Sequence, residues 1–172
     1  MINKYCYTLI LAIISMHFYG QTNTEPIEKV IDQWHLAAAQ ADFEAYFSMM
    51  TSEAVFIGTD AGENWQLQSF REFSKPYFDK GKAWSFTAVE RNVYIDKSKR
   101  LAWFDELLDT RMGICRGSGV VMLEDSNWKI AHYVLSATIP NDDMQEVIRI
   151  KKEKDSVQLF EIGKRKTIQK NK

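Results

Sequence analysis

The chain has 172 residues, of which 45% are hydrophobic and 13% aromatic. This is enough material for one domain with a buried core, and it argues against extensive disorder. The formal net charge is −1, so no overall positive field would attract nucleic acid or an anionic membrane. Basic residues do cluster over 164–172, where a solvated terminus explains them better than a nucleic-acid patch. We therefore expect no nucleic-acid partner.

Residues 1–21 are typical of a secretion signal. Lys4 gives a positive start, and residues 5–16 form an apolar run too short to span a bilayer comfortably. Gly20 puts a small residue before a cut at Gln21. We expect cleavage there, export to the periplasm or the exterior, and no stable membrane anchor afterwards. A retained anchor or a buried strand is the alternative.

Cysteine usage adds little to this prediction. Cys6 lies early in the apolar run and lacks the position needed for lipid attachment, and signal removal leaves Cys115 alone. The mature chain then has no internal disulfide, which an oxidising compartment permits. We interpret Cys115 as a small strand residue rather than a nucleophile.

The first part of the mature chain predicts three helices. Thr24 can cap a first helix with one apolar face, and Asp42 can cap a short second helix. A third helix follows the turn between Gly58 and Gly62, and Pro76 is expected to end or kink it because proline lacks an N–H.

From residue 84 onward the pattern becomes alternating, which is typical of strands. We predict strands over 84–95, 101–108, 115–123 and 128–138, after an earlier strand over 54–59. Short polar connections join the last four into an antiparallel meander. Helices followed by such a meander indicate an α+β fold with the helices on one face of the sheet.

After Pro140, a last helical stretch begins with Asn141 and Asp142 as caps, and the charge density rises beyond Lys151. We treat residues 141–172 as a helical, basic tail. It could pack on the mouth of the fold, pair with another subunit or fray.

Several local segments resemble the nuclear-transport-factor-2-like superfamily and its SnoaL-like members. Residues 41–46 and 54–58 are similar to the join between the family's second helix and first strand. Residues 102–106, 116–120 and 128–136 are similar to the signature that runs from the third strand of the SnoaL-like domain to its last strand.

This resemblance covers residues 25–140 and implies a domain over 22–140. The implied fold is a cone: a curved antiparallel sheet with three N-terminal helices packed on its concave face, here with a C-terminal helical extension. The fold does not imply one function, because it hosts enzymes, carriers and scaffolds.

The enzyme signatures of the superfamily do not carry over intact. Ketosteroid isomerase places a general-base Asp near the position of Gly58, and an oxyanion Tyr on the first helix, where this chain has Trp34 and His35. Scytalone dehydratase relies on a histidine pair and tyrosines near its pocket. Here the sheet supplies His132 alone.

Strict alternation along the strands places Glu106, His132 and Ser136 on one mainly apolar face. The same face carries Ala102, Phe104, Leu108, Gly117, Gly119, Val121, Ile130 and Val134. We assign it to the cone interior, although a one-residue slip would reverse the assignment. Glu106 and His132 are then a candidate acid–base pair. The alternative is a structural pair that satisfies buried polar groups.

Ligand contacts are expected at the mouth and wall of the interior. Asp60 and Trp65 lie on the lip loop over 59–65, where a simple capped turn is the alternative. Trp34, Phe104 and Ser136 would line the cavity. An aromatic set that also includes Phe47, Phe56, Phe73, Tyr77 and Trp84 could surround a greasy ligand or simply form core.

The sequence lacks the motifs that other kinds of catalytic or binding site require. Gly117-Ser118-Gly119 is not a nucleophile elbow, and no phosphate loop or dinucleotide fingerprint occurs. His35, His132 and Cys115 lack metal-ligand spacing. We expect neither a cofactor nor a metal.

Three functions remain open from the sequence. The first is an exported small-molecule-binding domain with an apolar pocket. The second is a cofactor-independent lyase, isomerase or cyclase using Glu106 and His132. The third is a dimerisation module that pairs through the other sheet face, which carries Trp103, Met122 and Tyr133. A homodimer is expected in any case, and the sequence does not identify the ligand.

Overall fold

A computed structural model describes residues 23–170, with side chains described as far as Arg165. The signal predicted for residues 1–21 lies outside the described residues. In chain order the elements are α1 Glu25–Ala39, α2 Phe43–Ser48, β1 Met50–Ile57, β2 Asn64–Gln66, α3 Leu67–Asp79, β3 Thr87–Ile95, β4 Leu101–Thr110, β5 Gly113–Glu124, β6 Asn127–Ala137, a 3-10 turn Asn141–Asp143 and α4 Met144–Lys170.

The first two helices form where the sequence predicts them. Glu25, Glu28 and a proline occupy the first turn of α1, where acids and proline are favoured. Ile27 and Ile31 follow helical spacing and are fully buried. The Asp42 side chain caps α2 by accepting a hydrogen bond from the Ala45 N–H at 3.0 Å.

Helix α3 ends within one turn of Pro76. The helix includes Pro76 and runs on to Asp79, with Lys80 as its C-cap. Pro76 therefore falls within the last turn, so the hydrogen bond that its missing N–H cannot make lies close to the end of the helix.

The six strands form one curled, open sheet in the order β2-β1-β6-β5-β4-β3. The four long strands at its C-terminal half make the expected antiparallel meander. Two details were not predicted: β1 pairs with β6 in parallel, and part of the lip loop forms the short strand β2 against β1. The α+β cone with helices on one face is confirmed.

A β-bulge in β6 decides which residues enter the cone. Val120 of β5 pairs with His132, whereas the next residue, Val121, pairs with Ile130. Ala131 is therefore the extra residue, and the alternation of β6 changes phase there. Ile130 before the bulge and Tyr133 and Leu135 after it are buried.

The core lies between the inner sheet face and helices α1 to α3. It is dominated by rings: Trp34 stacks on Tyr46 with centroids 4.8 Å apart, and Phe56 stacks on Phe70 at 4.2 Å. Such pairs stabilise a core beyond the area that they bury.

Helix α4 continues the chain as the expected C-terminal extension and spans 27 residues. None of the described helices is long and apolar enough to cross a membrane.

Candidate functional site

A cavity of about 530 Å³ opens at one end of the cone. It lies between α3, the segment that leads into β3, and the turn between β4 and β5. Its volume is within the range of typical small-molecule sites. The lining residues include Phe56, Trp65, Phe70, Phe73, Trp84, Phe86, Met112 and Leu135.

The walls of this cavity are mostly aromatic and packed on one another. Trp65 stacks on Phe73 with centroids 4.8 Å apart and an interplanar angle of 18°. Behind them, Phe70 stacks on Trp84 at 5.7 Å. Because each ring is held by a neighbour, the walls are preorganised for a flat apolar molecule.

Polar groups gather at the mouth instead of the floor. Glu63, Asp109 and Arg111 line the cavity there, together with Thr59, Ser85 and Thr87. Thr110 also lines the cavity, but it is buried and its hydroxyl is hydrogen-bonded within the β4–β5 turn. The Glu63 carboxylate accepts a hydrogen bond from the Asp60 N–H at 3.2 Å, which holds it on the β1–β2 turn. A ligand in this cavity would place its apolar part among the rings and its polar end at the mouth.

A second group of polar residues is buried deeper in the cone, around Glu106. Its Oε1 atom accepts hydrogen bonds from His35 Nε2 and the Tyr133 hydroxyl, each at 2.8 Å. Its Oε2 atom accepts one from Arg91 Nε at 2.8 Å. Arg91 also pairs with Asp32 of α1 at 2.7 Å. The cluster thereby joins α1, β3, β4 and β6.

This environment holds Glu106 as a carboxylate. Burial favours its neutral form, but the hydrogen bond with His35 and the positive charge of Arg91 outweigh burial and lower its pKa below 4.5. Burial, reinforced by the neighbouring Glu106 charge, raises the pKa of Tyr133 well above 10. An ionised carboxylate with three donors and 1% exposure is poorly suited to exchange protons with a ligand.

The predicted partnership of Glu106 with His132 is wrong. Glu106 points inward as expected, but the bulge at Ala131 turns His132 to the outer face, opposite Val120. Val120 in turn pairs with the exposed Trp103. His35 is the histidine that binds Glu106.

The same bulge corrects the positions of Tyr133 and Ser136. Tyr133, assigned to the outer face by alternation, is fully buried inside the cone. Ser136, assigned to the interior, is exposed and lines an outer groove between the β1–β2 turn and α4, together with Asp60.

The remaining predicted ligand residues are divided between cavity and core. Trp65 lines the mouth as expected. Trp34 is 1% exposed and Phe104 is 2% exposed, and both pack within the core next to Tyr133. Neither belongs to the cavity lining, so their assignment as cavity residues is wrong for the structure described.

Sequence reasoning missed Arg91 and the residues of the β4–β5 turn. Arg91 stands directly opposite Glu106 across β3 and β4, so a correct strand register would have found the pair. Arg111 and Met112 were expected only to connect two strands. Their position at the open end of the cone depends on the curl of the sheet, which has no local signal in the sequence.

No group of three or more His, Cys, Asp or Glu side chains suited to a metal ion occurs within residues 23–165. The donors that surround Glu106 include an arginine, and a guanidinium cannot ligate a metal.

Comparison with known proteins identifies the domain type. Residues 27–140 match the model of the SnoaL-like domain. No functionally curated protein matches the chain. An NTF2-like protein from Cytophaga hutchinsonii aligns with 16% identity and a TM-score of 0.57, over 67% of this chain and 98% of that one.

Two further solved structures give the same result. An NTF2-like protein of unknown function from Pseudomonas putida aligns with 14% identity and a TM-score of 0.56, over 67% and 86% of the two chains. A protein with a cystatin-like fold from Nostoc punctiforme aligns with 11% identity and a TM-score of 0.55, over 66% and 89%. At these identities the likeness concerns the fold.

Removing the charge of Glu106 should destabilise the protein in a pH-dependent way. Glu106→Gln removes the charge that Arg91 faces in a buried site, and we expect the free energy of unfolding at pH 7 to fall by about 3 kcal/mol. Since folding lowers the Glu106 pKa from 4.5, this stabilisation is present above pH 4.5 and is lost as the pH falls through the lower folded value. The difference between wild type and variant should therefore shrink in acid.

Urea unfolding from pH 7 to pH 3 measures this difference. Asp105→Asn is the matched control, because Asp105 lies next to Glu106 on β4 and makes only exposed contacts, an ion pair with Arg116 at 3.9 Å and a hydrogen bond from the Asn92 amide at 3.3 Å. Its effect should stay below about 1 kcal/mol. Equal stability of wild type and Glu106→Gln at pH 7 would contradict the role of the cluster.

Proposed function

The chain belongs to the SnoaL-like domain family, and we propose that it is a small-molecule-binding protein whose ligand lies in the aromatic cavity at the end of the cone. The observation that carries this proposal is the 530 Å³ cavity walled by stacked rings. A filled cone would have favoured a purely structural module.

The ligand that fits best is flat and apolar with one polar end. The rings offer their faces along the walls, and the hydrogen-bonding groups are limited to the mouth. A planar aromatic body would therefore be desolvated inside, while a carboxyl, hydroxyl or amine group would stay near Asp109 and Arg111.

Binding without acid–base chemistry is favoured over the enzymatic alternative. Glu106 and His35, the buried carboxylate and histidine, are absent from the cavity lining and are engaged with each other. Within the described lining, the titratable groups are Glu63, Asp109 and Arg111, all at the mouth. None of them has the buried, paired environment that tunes a general acid or base.

Substitution of a cavity wall tests the proposal. Planar aromatic compounds such as naphthalene-2-carboxylate would be screened by saturation-transfer NMR, and hits measured by calorimetry. Trp65→Ala removes one wall and should weaken binding about tenfold, because the loss of an aromatic contact costs roughly 1 kcal/mol or more. Leu36→Ala is the control, since Leu36 is an exposed apolar residue on α1 that belongs neither to the cavity lining nor to the outer sheet face. Equal losses of affinity in both variants, or compounds that bind Trp65→Ala as tightly as the wild type, would argue against this cavity.

We also propose that the protein is exported. The support is the positive start at Lys4 followed by the apolar run over residues 5–16. N-terminal sequencing of protein recovered from the periplasm or medium of the expressing cell should give a sequence that begins near Gln21. Recovery of an intact Met1 in that fraction, or retention of all the protein in the cytoplasm, would contradict export.

A homodimer through the outer sheet face is the third part of the proposal. Trp103 is 46% exposed and Met122 is 42% exposed on this face, and Tyr94 stacks on Trp103 at 5.8 Å. An apolar group of this kind on a sheet surface favours an interface. Tyr133 is buried and does not contribute.

Trp103→Glu should convert the dimer to a monomer, as measured by light scattering at micromolar concentration, because a carboxylate would be buried without a partner. Leu36→Glu is the control: Leu36 is also about half exposed, but it lies on α1, on the helix side of the molecule. A wild-type protein that is monomeric at micromolar concentration would refute the dimer.

A further inference from the structure

Two charged side chains at the mouth of the aromatic cavity have opposite signs and are open to a ligand. Asp109 is the penultimate residue of β4, and Arg111 is the first residue of the turn that joins β4 to β5. Both are exposed, and both line the cavity. Within the part of the chain that the structure describes, neither side chain forms an ion pair or a hydrogen bond. Their charges are therefore available to a bound molecule.

The third charged residue of the lining, Glu63, is held by its own turn. Its carboxylate accepts a hydrogen bond from the Asp60 N–H at 3.2 Å. It also lies in the notch left by Gly58, where a β-carbon would overlap the carboxylate. Glu63 is half-buried, in contrast to Asp109 and Arg111. The two charges that face a ligand most freely are thus one anion and one cation.

The β4–β5 turn fixes the distance between these two residues. The Thr110 hydroxyl accepts a hydrogen bond from the Met112 N–H at 3.0 Å and donates one to the Gly113 carbonyl at 2.9 Å. Gly113 closes the turn with a φ of 82°, which glycine adopts without strain. Asp109 and Arg111 are two residues apart, so their α-carbons are separated by at most about 7 Å. One small head group can therefore contact both side chains.

This pair of charges discriminates between kinds of polar head group. An amine would be attracted by Asp109 and repelled by Arg111, and a carboxylate would meet the reverse arrangement. A head group that carries an ammonium and a carboxylate on one carbon atom would be attracted by both side chains. The planar guanidinium of an arginine also matches a carboxylate through two parallel hydrogen bonds. The mouth thus favours a zwitterion over either single charge.

We propose that the ligand of the aromatic cavity is an aromatic molecule with a zwitterionic head of the α-amino acid type. Its ring would lie against the stacked pair Trp65 and Phe73, its carboxylate on Arg111 and its ammonium on Asp109. The inference rests on the small-molecule binding proposed above and specifies the polar end of that molecule.

Four compounds with the same indole ring separate the charges of the head group. At pH 7 tryptophan carries both charges, tryptamine lacks the carboxylate, indole-3-propionate lacks the ammonium, and 3-ethylindole lacks both. Calorimetry should show that tryptophan binds about fivefold more tightly than each of the other three, because it alone gains two ion pairs at a partly exposed site. Raising the salt concentration should reduce this advantage over 3-ethylindole.

Two neutral substitutions at the mouth show which side chain binds which charge. Arg111→Gln should remove the preference for tryptophan over tryptamine, and Asp109→Asn should remove the preference for tryptophan over indole-3-propionate. The affinity for 3-ethylindole should stay near the wild-type value in both variants. Arg100→Gln is the matched control, because Arg100 is an exposed arginine before β4, at the opposite end of that strand from the cavity. It should leave all four affinities unchanged.

The outcomes separate this inference from the proposed function. Planar aromatic compounds whose binding depends on Trp65, with no preference for tryptophan over 3-ethylindole, would overturn the zwitterionic head and keep the cavity. Tighter binding of tryptamine or indole-3-propionate than of tryptophan would overturn it in the same way. If no planar aromatic compound binds at all, the proposed function and this inference fail together.

Discussion

A carboxylate inside an apolar sheet face must be hydrogen-bonded or neutralised, and Glu106 is satisfied by side chains from three other elements. His35 ties it to α1, Arg91 to β3, and Tyr133 to β6. Gly117 leaves the space, because a β-carbon there would overlap the Tyr133 hydroxyl and approach Glu106. The position of the first helix over the sheet, and hence the shape of the cone, depends on this cluster.

The cluster fills the deeper part of the interior, and the cavity lies at the open end of the cone. Phe86 stands between the two regions: it lines the cavity and lies edge-on to His35 with ring centroids 5.8 Å apart. The interior thus has a polar, filled part and an aromatic, hollow part. This division is why the buried titratable groups and the ligand cavity are separate, and why the geometry favours binding over proton transfer.

Much of the fold could be predicted from periodicity, and the site only in part. The helical spacing of apolar residues around Ile27 and their alternation around Phe104 are local patterns of the sequence. They were therefore enough to predict the first helix and the inward direction of Phe104. The inward direction predicted for His132 is wrong, because one extra residue at Ala131 moves every later side chain of β6 to the opposite face of the sheet. Tyr133 and Leu135 are more apolar than His132 and Ser136 and therefore fit the interior better. That contrast was the signal in the sequence that could have indicated the bulge. Arg91 required the register of β3 against β4, which no local pattern gives.

A flat apolar ligand should bind among the rings at the end of the cone. A crystal structure of the protein with the tightest aromatic compound from the screen is the decisive experiment. The compound should lie between Trp65, Phe73 and Trp84 with its polar group toward Arg111. A compound bound in the groove beside α4, or on the outer sheet face, with the aromatic cavity unchanged, would contradict it.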